Sequence, residues 1–159
     1  MKPTRVMFFC LGNICRSPLA EGLFCHHLET RGLAHLFHVE SSGTSAYHVG
    51  DPPDLGSQRV VLKHLNLDIS HQRAQQLSAW HLDEFDIVVA MDESNRSNAL
   101  RLRPAARVYL LRDFDVESPG DDVPDPYGGG PNQFEVVYEM VYRCTERLLD
   151  DLLQNGKLK

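Results

Sequence analysis

The segment Cys10-Leu11-Gly12-Asn13-Ile14-Cys15-Arg16-Ser17-Pro18 sets a thiol six residues before a guanidinium and seven before a hydroxyl. It falls between a predicted strand and a predicted helix. In such a tight glycine-containing loop, successive backbone N–H groups form a concave anion nest, and the following helix adds the positive end of its dipole. A cysteine at the base of that nest meets N–H dipoles that favour its thiolate. An arginine closing the loop can hold two phosphate oxygens with its planar fork, and the Ser17 hydroxyl can donate to the sulfur. Asn13 is expected to hydrogen-bond within the loop and hold a strained residue in place. With thiolate below and phosphorus above, these residues suit an in-line displacement. The Gly-Lys-Ser/Thr ending of a nucleotide-binding loop and the three-glycine dinucleotide fingerprint are both missing.

A displacement of that kind needs a proton donor for the departing oxygen. The stretch Asp125-Pro126-Tyr127-Gly128 is by itself an ordinary turn sequence, yet its loop is expected at the same edge as the cradle, which makes Asp125 the candidate acid. Asp92 is the alternative, read first as the cap of the helix that begins at Glu93. Asp113, Asp121 and Asp122 read as solvated loop charges. Cys10, Cys15, His26 and His27 are close in sequence, but they lack C-x2-C pairing and adjacent histidines on a helix point to different sides, so no metal site and no cofactor are expected. Cys25 and Cys144 read as core or inert thiols.

Apolar runs bounded by turn residues alternate with amphipathic stretches and supply the scaffold. Arg5 to Cys10, Phe37 to Ser41, Phe85 to Met91 and Arg107 to Leu111 read as strands. Pro18 to Arg31 (closed by Gly32), Pro53 to Leu65, Glu93 to Leu102 and Gln133 to Leu153 read as helices. In the last of these Phe134, Val137, Val141, Cys144, Leu148 and Leu152 recur at helical spacing. Strands alternating with helices imply right-handed crossovers. The expected fold is therefore α/β, a three-layer α/β/α arrangement around a central, mainly parallel four-stranded sheet, with the phosphate-binding loop after the first strand. Ligands in such folds sit at the carboxyl ends of the strands. The loop from Asp113 to Pro131 is long enough to serve an active site there.

At 159 residues a single domain spanning 1–159 is expected, and 42% hydrophobic with 24% charged residues excludes disorder and fibrous repeats. Sixteen Lys and Arg against 22 Asp and Glu leave a net charge of −6. No basic block is present to neutralise several phosphates, so nucleic acid and anionic membrane are not expected as partners. The longest apolar runs fall far short of a bilayer span, and Val6 to Leu11 is too short for a signal peptide. A cytoplasmic protein with free thiols is the expectation.

Within Val6 to Glu21, the pattern Cys10-x5-Arg16-Ser17 resembles the signature of low-molecular-weight protein tyrosine phosphatases, and almost the whole chain follows. Asp125-Pro126-Tyr127-Gly128 resembles the family's aspartate motif, Met91-Asp92-Glu93-Ser94-Asn95 its middle segment, and Ser42-Gly43-Thr44 to Gly50-Asp51-Pro52-Pro53-Asp54 its substrate-rim loop. The resemblance implies that Cys10 is the nucleophile, Arg16 the phosphate clamp and Asp125 the general acid. Leu11, Gly12, Asn13, Ile14, Cys15 and Ser17 would surround the phosphate, with Tyr47 and Tyr127 as aromatic walls. Asn13, Ser17, Ser42, His71 and Asp92 would form the supporting network. It further implies a reversible disulfide between Cys10 and Cys15. The partners would be phosphotyrosine-containing proteins or aryl phosphates, with inorganic phosphate as product and inhibitor and a monomer favoured. Two other functions compete: an arsenate reductase on a similar scaffold, which residues 26 to 143 disfavour by containing no cysteine, and a non-catalytic phosphate-binding module, which would have no use for a nucleophile.

Overall fold

The computed structural model describes residues 2–155; Met1 and residues 156–159, the ends of the domain expected over 1–159, lie outside the described residues. Its first strand, β1 (Thr4–Cys10), is apolar on both sides. Val6, Phe8 and Cys10 enter one core while Met7 and Phe9 enter another, as the period-two alternation of a strand requires. Beside it lie β2 (Phe37–Gly43), β3 (Ile87–Ala90) and β4 (Tyr109–Leu110). The order is β2-β1-β3-β4 and every pairing is parallel.

Helices α1 (Arg16–Thr30), α2 (Leu55–Leu65) and α5 (Pro131–Asn155) bury their apolar stripes in the core built on Val6 and Phe8. The six α5 residues singled out by their spacing are all buried. Helices α3 (Ala79–Glu84) and α4 (Glu93–Leu102) cover the opposite face, with Leu82 and Ala99 packing near Met7 and Phe9. The layers are α/β/α. Helix α1 ends as its sequence suggests: Gly32, at φ +69°, donates its N–H to Glu29 O at 3.1 Å. Buried His27 ties α1 to α5, its Nε2 lying 3.0 Å from Thr145 Oγ1 and 3.2 Å from Tyr142 O. Burial pushes its pKa down to about 4 and keeps the ring neutral.

Most element ends differ from those expected by a few residues, and three departures are larger or bear on the site. Helix α1 begins at Arg16 rather than Pro18, so the cradle leads straight into the helix. Strand β4 is only Tyr109–Leu110, because β3 pairs with it through Val89 and Ala90 alone. Helix α3 is absent from the sequence reading. Its N-terminal box is disguised: the Ser78 hydroxyl accepts from His81 N at 3.3 Å, while His81 Nδ1, in place of the usual Glu or Gln, accepts from Ser78 N at 3.0 Å.

From β1 the chain turns through α1 to β2 on one side and then returns to β3 on the other. The loops after β1 and β3 therefore diverge at the carboxyl edge of the sheet, which is where doubly wound folds open a crevice. None of the described helices is long and apolar enough to cross a membrane.

Candidate active site

The loop after β1 is held by its carbonyls. Cys10 O accepts from Thr44 N at 2.9 Å, Leu11 O from Ser45 N at 2.9 Å and Ile14 O from Asp54 N at 2.7 Å. Cys15 O accepts from the Ser57 hydroxyl at 3.0 Å. In a trans peptide the N–H points opposite to the C=O. Fixing these carbonyls on the outside therefore turns the N–H groups of Leu11, Gly12, Cys15 and Arg16 to the inside of the loop. Glycine at position 43 permits the close approach of β2: a Cβ there would lie 2.8 Å from Leu11 O and 3.0 Å from Asn13 N.

Asn13 takes the left-handed conformation, φ +58°, unusual for a residue with a side chain. Its amide group holds it there. Nδ2 donates to Ser17 Oγ at 2.8 Å and Ser41 Oγ at 3.0 Å, and Oδ1 accepts from Gln75 N at 3.0 Å. Ser17 Oγ lies 3.1 Å from Cys10 Sγ. The hydroxyl accepts from Asn13, and its one proton has two acceptors in reach, Ser42 O at 3.3 Å and the sulfur, which is the stronger of the two once it is a thiolate. The chain of bonds runs on from Ser41, which donates to Glu21 Oε1 at 2.7 Å. Burial raises the Glu21 pKa, partly opposed by the Ser41 bond and the charge of His71.

Arg16 is 3% exposed and spends one end of its fork on the protein. Its Nη1 donates to Asp92 Oδ2 at 2.7 Å and Val123 O at 2.9 Å. Its Nη2 lies 3.7 Å from Asp125 Oδ2, and its buried Nε has no acceptor among the described residues. The Nε–Nη2 edge is thus the one available to an oxyanion, in the geometry that matches two phosphate oxygens. Burial opposes the Arg16 charge, and Cys10, Asp92 and Asp125 more than offset it, so its pKa lies above the ordinary value.

The two candidate acids separate clearly. Asp92 has one oxygen on Arg16, and the other accepts from Asn95 N at 2.7 Å and caps α4. Asp125 has its Oδ1 in an Asx turn with Tyr127 N at 3.1 Å, while its side chain remains 46% exposed on the cleft. Its loop is anchored from both sides. Val123 N donates to Met91 O at 2.8 Å beyond the end of β3, and Asp122 Oδ1 accepts from Glu93 N at 2.9 Å. Upstream, fully buried Asp115 bridges Arg112 at 2.9 Å and Arg143 at 3.0 Å. Burial there works against the carboxylate, yet these arginines and Glu117 N hold its pKa well below the usual range.

Above the cradle opens a cleft of about 310 Å³, floored by Cys10 and Arg16 and walled by Tyr47, His48, Asp125 and Tyr127. Tyr47 and Tyr127 stand at its rim with His48 between them, the ring centroids 6.0 and 6.2 Å from that of His48. Cys15 also lines the cleft, but burial, followed by the fields of Asp54, Asp125 and Cys10, pushes its thiol pKa strongly upward. Burial likewise raises Cys25 and Cys144 to about 12. All four cysteines are free thiols. Among the described residues no group of three or more His, Cys, Asp and Glu is arranged to hold a metal ion.

The family profile described as low molecular weight phosphotyrosine protein phosphatase matches residues 5–158. The chain belongs to that family. It is 37% identical over 155 residues to the low molecular weight protein-tyrosine-phosphatase PtpA of Staphylococcus aureus (strain Newman), covering 97% of each chain. The crystal structure of YfkJ from Bacillus subtilis superposes with a TM-score of 0.90 at 32% identity over 99% of both chains. A protein tyrosine phosphatase from Entamoeba histolytica with Hepes in its active site gives 0.88 at 30% identity, covering 98% of this chain and 99% of that one.

Two members of the expected supporting network reach it otherwise than by a side-chain hydrogen bond to the loop. The serine that bonds Asn13 is Ser41; Ser42 contributes its carbonyl, 3.3 Å from Ser17 Oγ, and turns its own hydroxyl to Met7 Sδ at 3.2 Å. His71 is exposed and reaches the network only through its charge on Glu21. Glu21, Ser41, Gln75 and Val123 belong to the network, and Ser45 and His48 to the cleft, without having been foreseen. Asn13→Ala removes the bonds that hold the left-handed residue and leaves its strain, of about 1–2 kcal/mol, uncompensated. We expect kcat for an aryl phosphate to fall by about tenfold or more with the fold intact by circular dichroism; an unchanged kcat would mean that the loop keeps its shape without Asn13.

Proposed function

We propose that the chain hydrolyses phosphotyrosine and other aryl phosphates in two displacements at phosphorus. Cys10 Sγ attacks, the bond from phosphorus to the phenolic oxygen breaks, and Asp125 gives that oxygen its proton. Asp125, now a carboxylate, takes a proton from water as that water attacks the cysteinyl phosphate; the S–P bond breaks and phosphate leaves. Arg16 and the inward N–H groups stabilise the equatorial oxygens in both steps. The observation that most supports these roles is the Nε–Nη2 edge of Arg16, its Nε without an acceptor among the described residues and its Nη2 3.7 Å from Asp125 Oδ2, in the same cleft as Cys10.

Tyr47 and Tyr127 would stack on the phenyl ring and hold phosphorus at the reach of Cys10, whereas phosphoserine is too short to use these walls. Every residue invoked comes from one chain, so a monomer suffices, and four free thiols suit a reducing cytoplasm. Cys15 would be the partner of Cys10 in a reversible disulfide, both thiols lining the same cleft.

The deciding assay measures phosphate release in the presence of a chelator from phenyl phosphate, a phosphotyrosine peptide and its phosphoserine counterpart. The expected result is turnover of the first two, with the phosphoserine peptide slower by about tenfold, the value of one good aromatic contact. Arsenate-dependent consumption of a thiol reductant without phosphate release would instead identify a reductase, and phosphate binding with neither activity a binding module.

A further inference from the structure

A second cleft, of about 280 Å³, lies between α2 and the start of α5. It shares no lining residue with the catalytic cleft, but two segments of chain join the two. The loop that presents Asp125 and Tyr127 to the first continues through Gly129 and Pro131 along the second. On the facing side, the Asp54 N to Ile14 O bond of 2.7 Å joins the amino end of α2 to the cradle itself. The floor is apolar: the ring of Phe134 packs beneath Ile14 and Cys15 and meets the α2 backbone at Gly56, where a Cβ would lie 2.4 Å from Phe134 Cζ. Leu55, on the rim, is 59% exposed.

The charges around this cleft are unevenly engaged. Glu135 is taken on both oxygens, by Lys63 Nζ at 2.6 Å and His64 Nε2 at 2.6 Å. Asp54 accepts from Gly56 N at 2.8 Å and caps α2. Arg59 is exposed, lines the cleft, and makes no hydrogen bond or ion pair with any described residue. Of the two cations lining the cleft, Lys63 is paired and Arg59 is the one with no side-chain partner among the described residues. A peptide with its phosphotyrosine in the catalytic cleft must leave along one of the walls, and this wall offers an apolar floor with a free guanidinium beside it.

We propose that the second cleft is a subsite for the substrate chain flanking phosphotyrosine, seating an acidic residue with its methylenes on Phe134 and Leu55 and its carboxylate on Arg59. The inference rests on the phosphotyrosine reading and adds a sequence preference to it. Substrates would then be selected for a carboxylate at a fixed distance from the tyrosine, since a cation at a rim rewards one register of the bound peptide and opposes a like charge there.

The test measures kcat/KM for phosphotyrosine peptides in which one Asp, Ala or Lys is moved position by position along both flanks. The enzymes are wild type, Arg59→Ala and Arg59→Glu, with phenyl phosphate, too small to reach the second cleft, reporting that each variant is folded. At one or two adjacent positions wild type is expected to favour Asp over Lys by about threefold to fivefold, the range of an exposed ion pair. Arg59→Ala loses the preference and Arg59→Glu reverses it. An equal rate for Asp and Lys at every position in wild type, or a preference that survives in Arg59→Glu, overturns the subsite. Turnover of phenyl phosphate with none of any peptide overturns the phosphotyrosine reading, and the subsite with it.

Discussion

Cys10→Ser is expected to lose turnover of every aryl phosphate by a factor on the order of 10⁴ or more, the scale seen when a covalent nucleophile is removed. Binding of inorganic phosphate or vanadate should persist in the variant. The cradle is set by carbonyl bonds to Thr44, Ser45, Asp54 and Ser57 and by the Arg16 fork, none of which passes through the Cys10 side chain. Cys15→Ser provides the contrast. Its sulfur is buried against Ile14, Ala74 and Phe134, with a strongly raised pKa, so its loss should cost far less than that of Cys10. Kinetics on both variants, together with calorimetric titration of phosphate, check the pair. A Cys10→Ser enzyme with more than about a hundredth of the wild-type rate would remove the sulfur from its central place.

Asp125→Ala is expected to slow the reaction by a factor on the order of 10² to 10⁴, the usual span of general-acid catalysis. The loss should depend on the leaving group. A phenolate of high basicity needs the proton and suffers most, while an activated nitrophenolate departs without it and suffers least. Asp92→Asn should behave differently because Asp92 touches Arg16 and the start of α4 rather than the open cleft: its effect should be the same for all leaving groups. A plot of rate against leaving-group basicity distinguishes the two. A slope unchanged by Asp125→Ala would assign proton donation elsewhere.

Much of this was legible in the sequence because it depends on local pattern. The apolar run from Val6 to Phe9 reads as a strand buried on both faces, and the α5 stripe reads as a helix covering a core. The thiol, guanidinium and hydroxyl converge because one short loop carries all three. What escaped depends on which way a side chain faces or on what folds over it. Ser41 and Ser42 are neighbours on β2, so their side chains point to opposite faces, and either could have met Asn13. The structure turns Ser41 toward α1 and the cradle and Ser42 toward Met7. His48 came to light only with the tertiary structure, since nothing in its spacing says that the loop after β2 folds back over Gly12, where a Cβ would lie 3.1 Å from His48 Cδ2. Helix α3 hid behind a histidine performing the task of a glutamate, and Arg59 is noticeable only once its neighbours are seen to be occupied.

The central claim is that phosphate passes through a covalent bond to Cys10 sulfur. It is tested most directly by mixing Asp125→Ala with an activated aryl phosphate, quenching rapidly, and mapping the phosphorylated peptide by mass spectrometry under conditions that preserve thiophosphate esters. Without Asp125 to activate water, the second displacement slows while the first still proceeds on a good leaving group, so the intermediate accumulates. The expected result is one phosphoryl group per chain, on the peptide carrying Cys10, absent from the matching Cys10→Ser variant. Turnover with no phosphorylated cysteine at any quench time, or phosphate found on Cys15 or on a histidine instead, would contradict it.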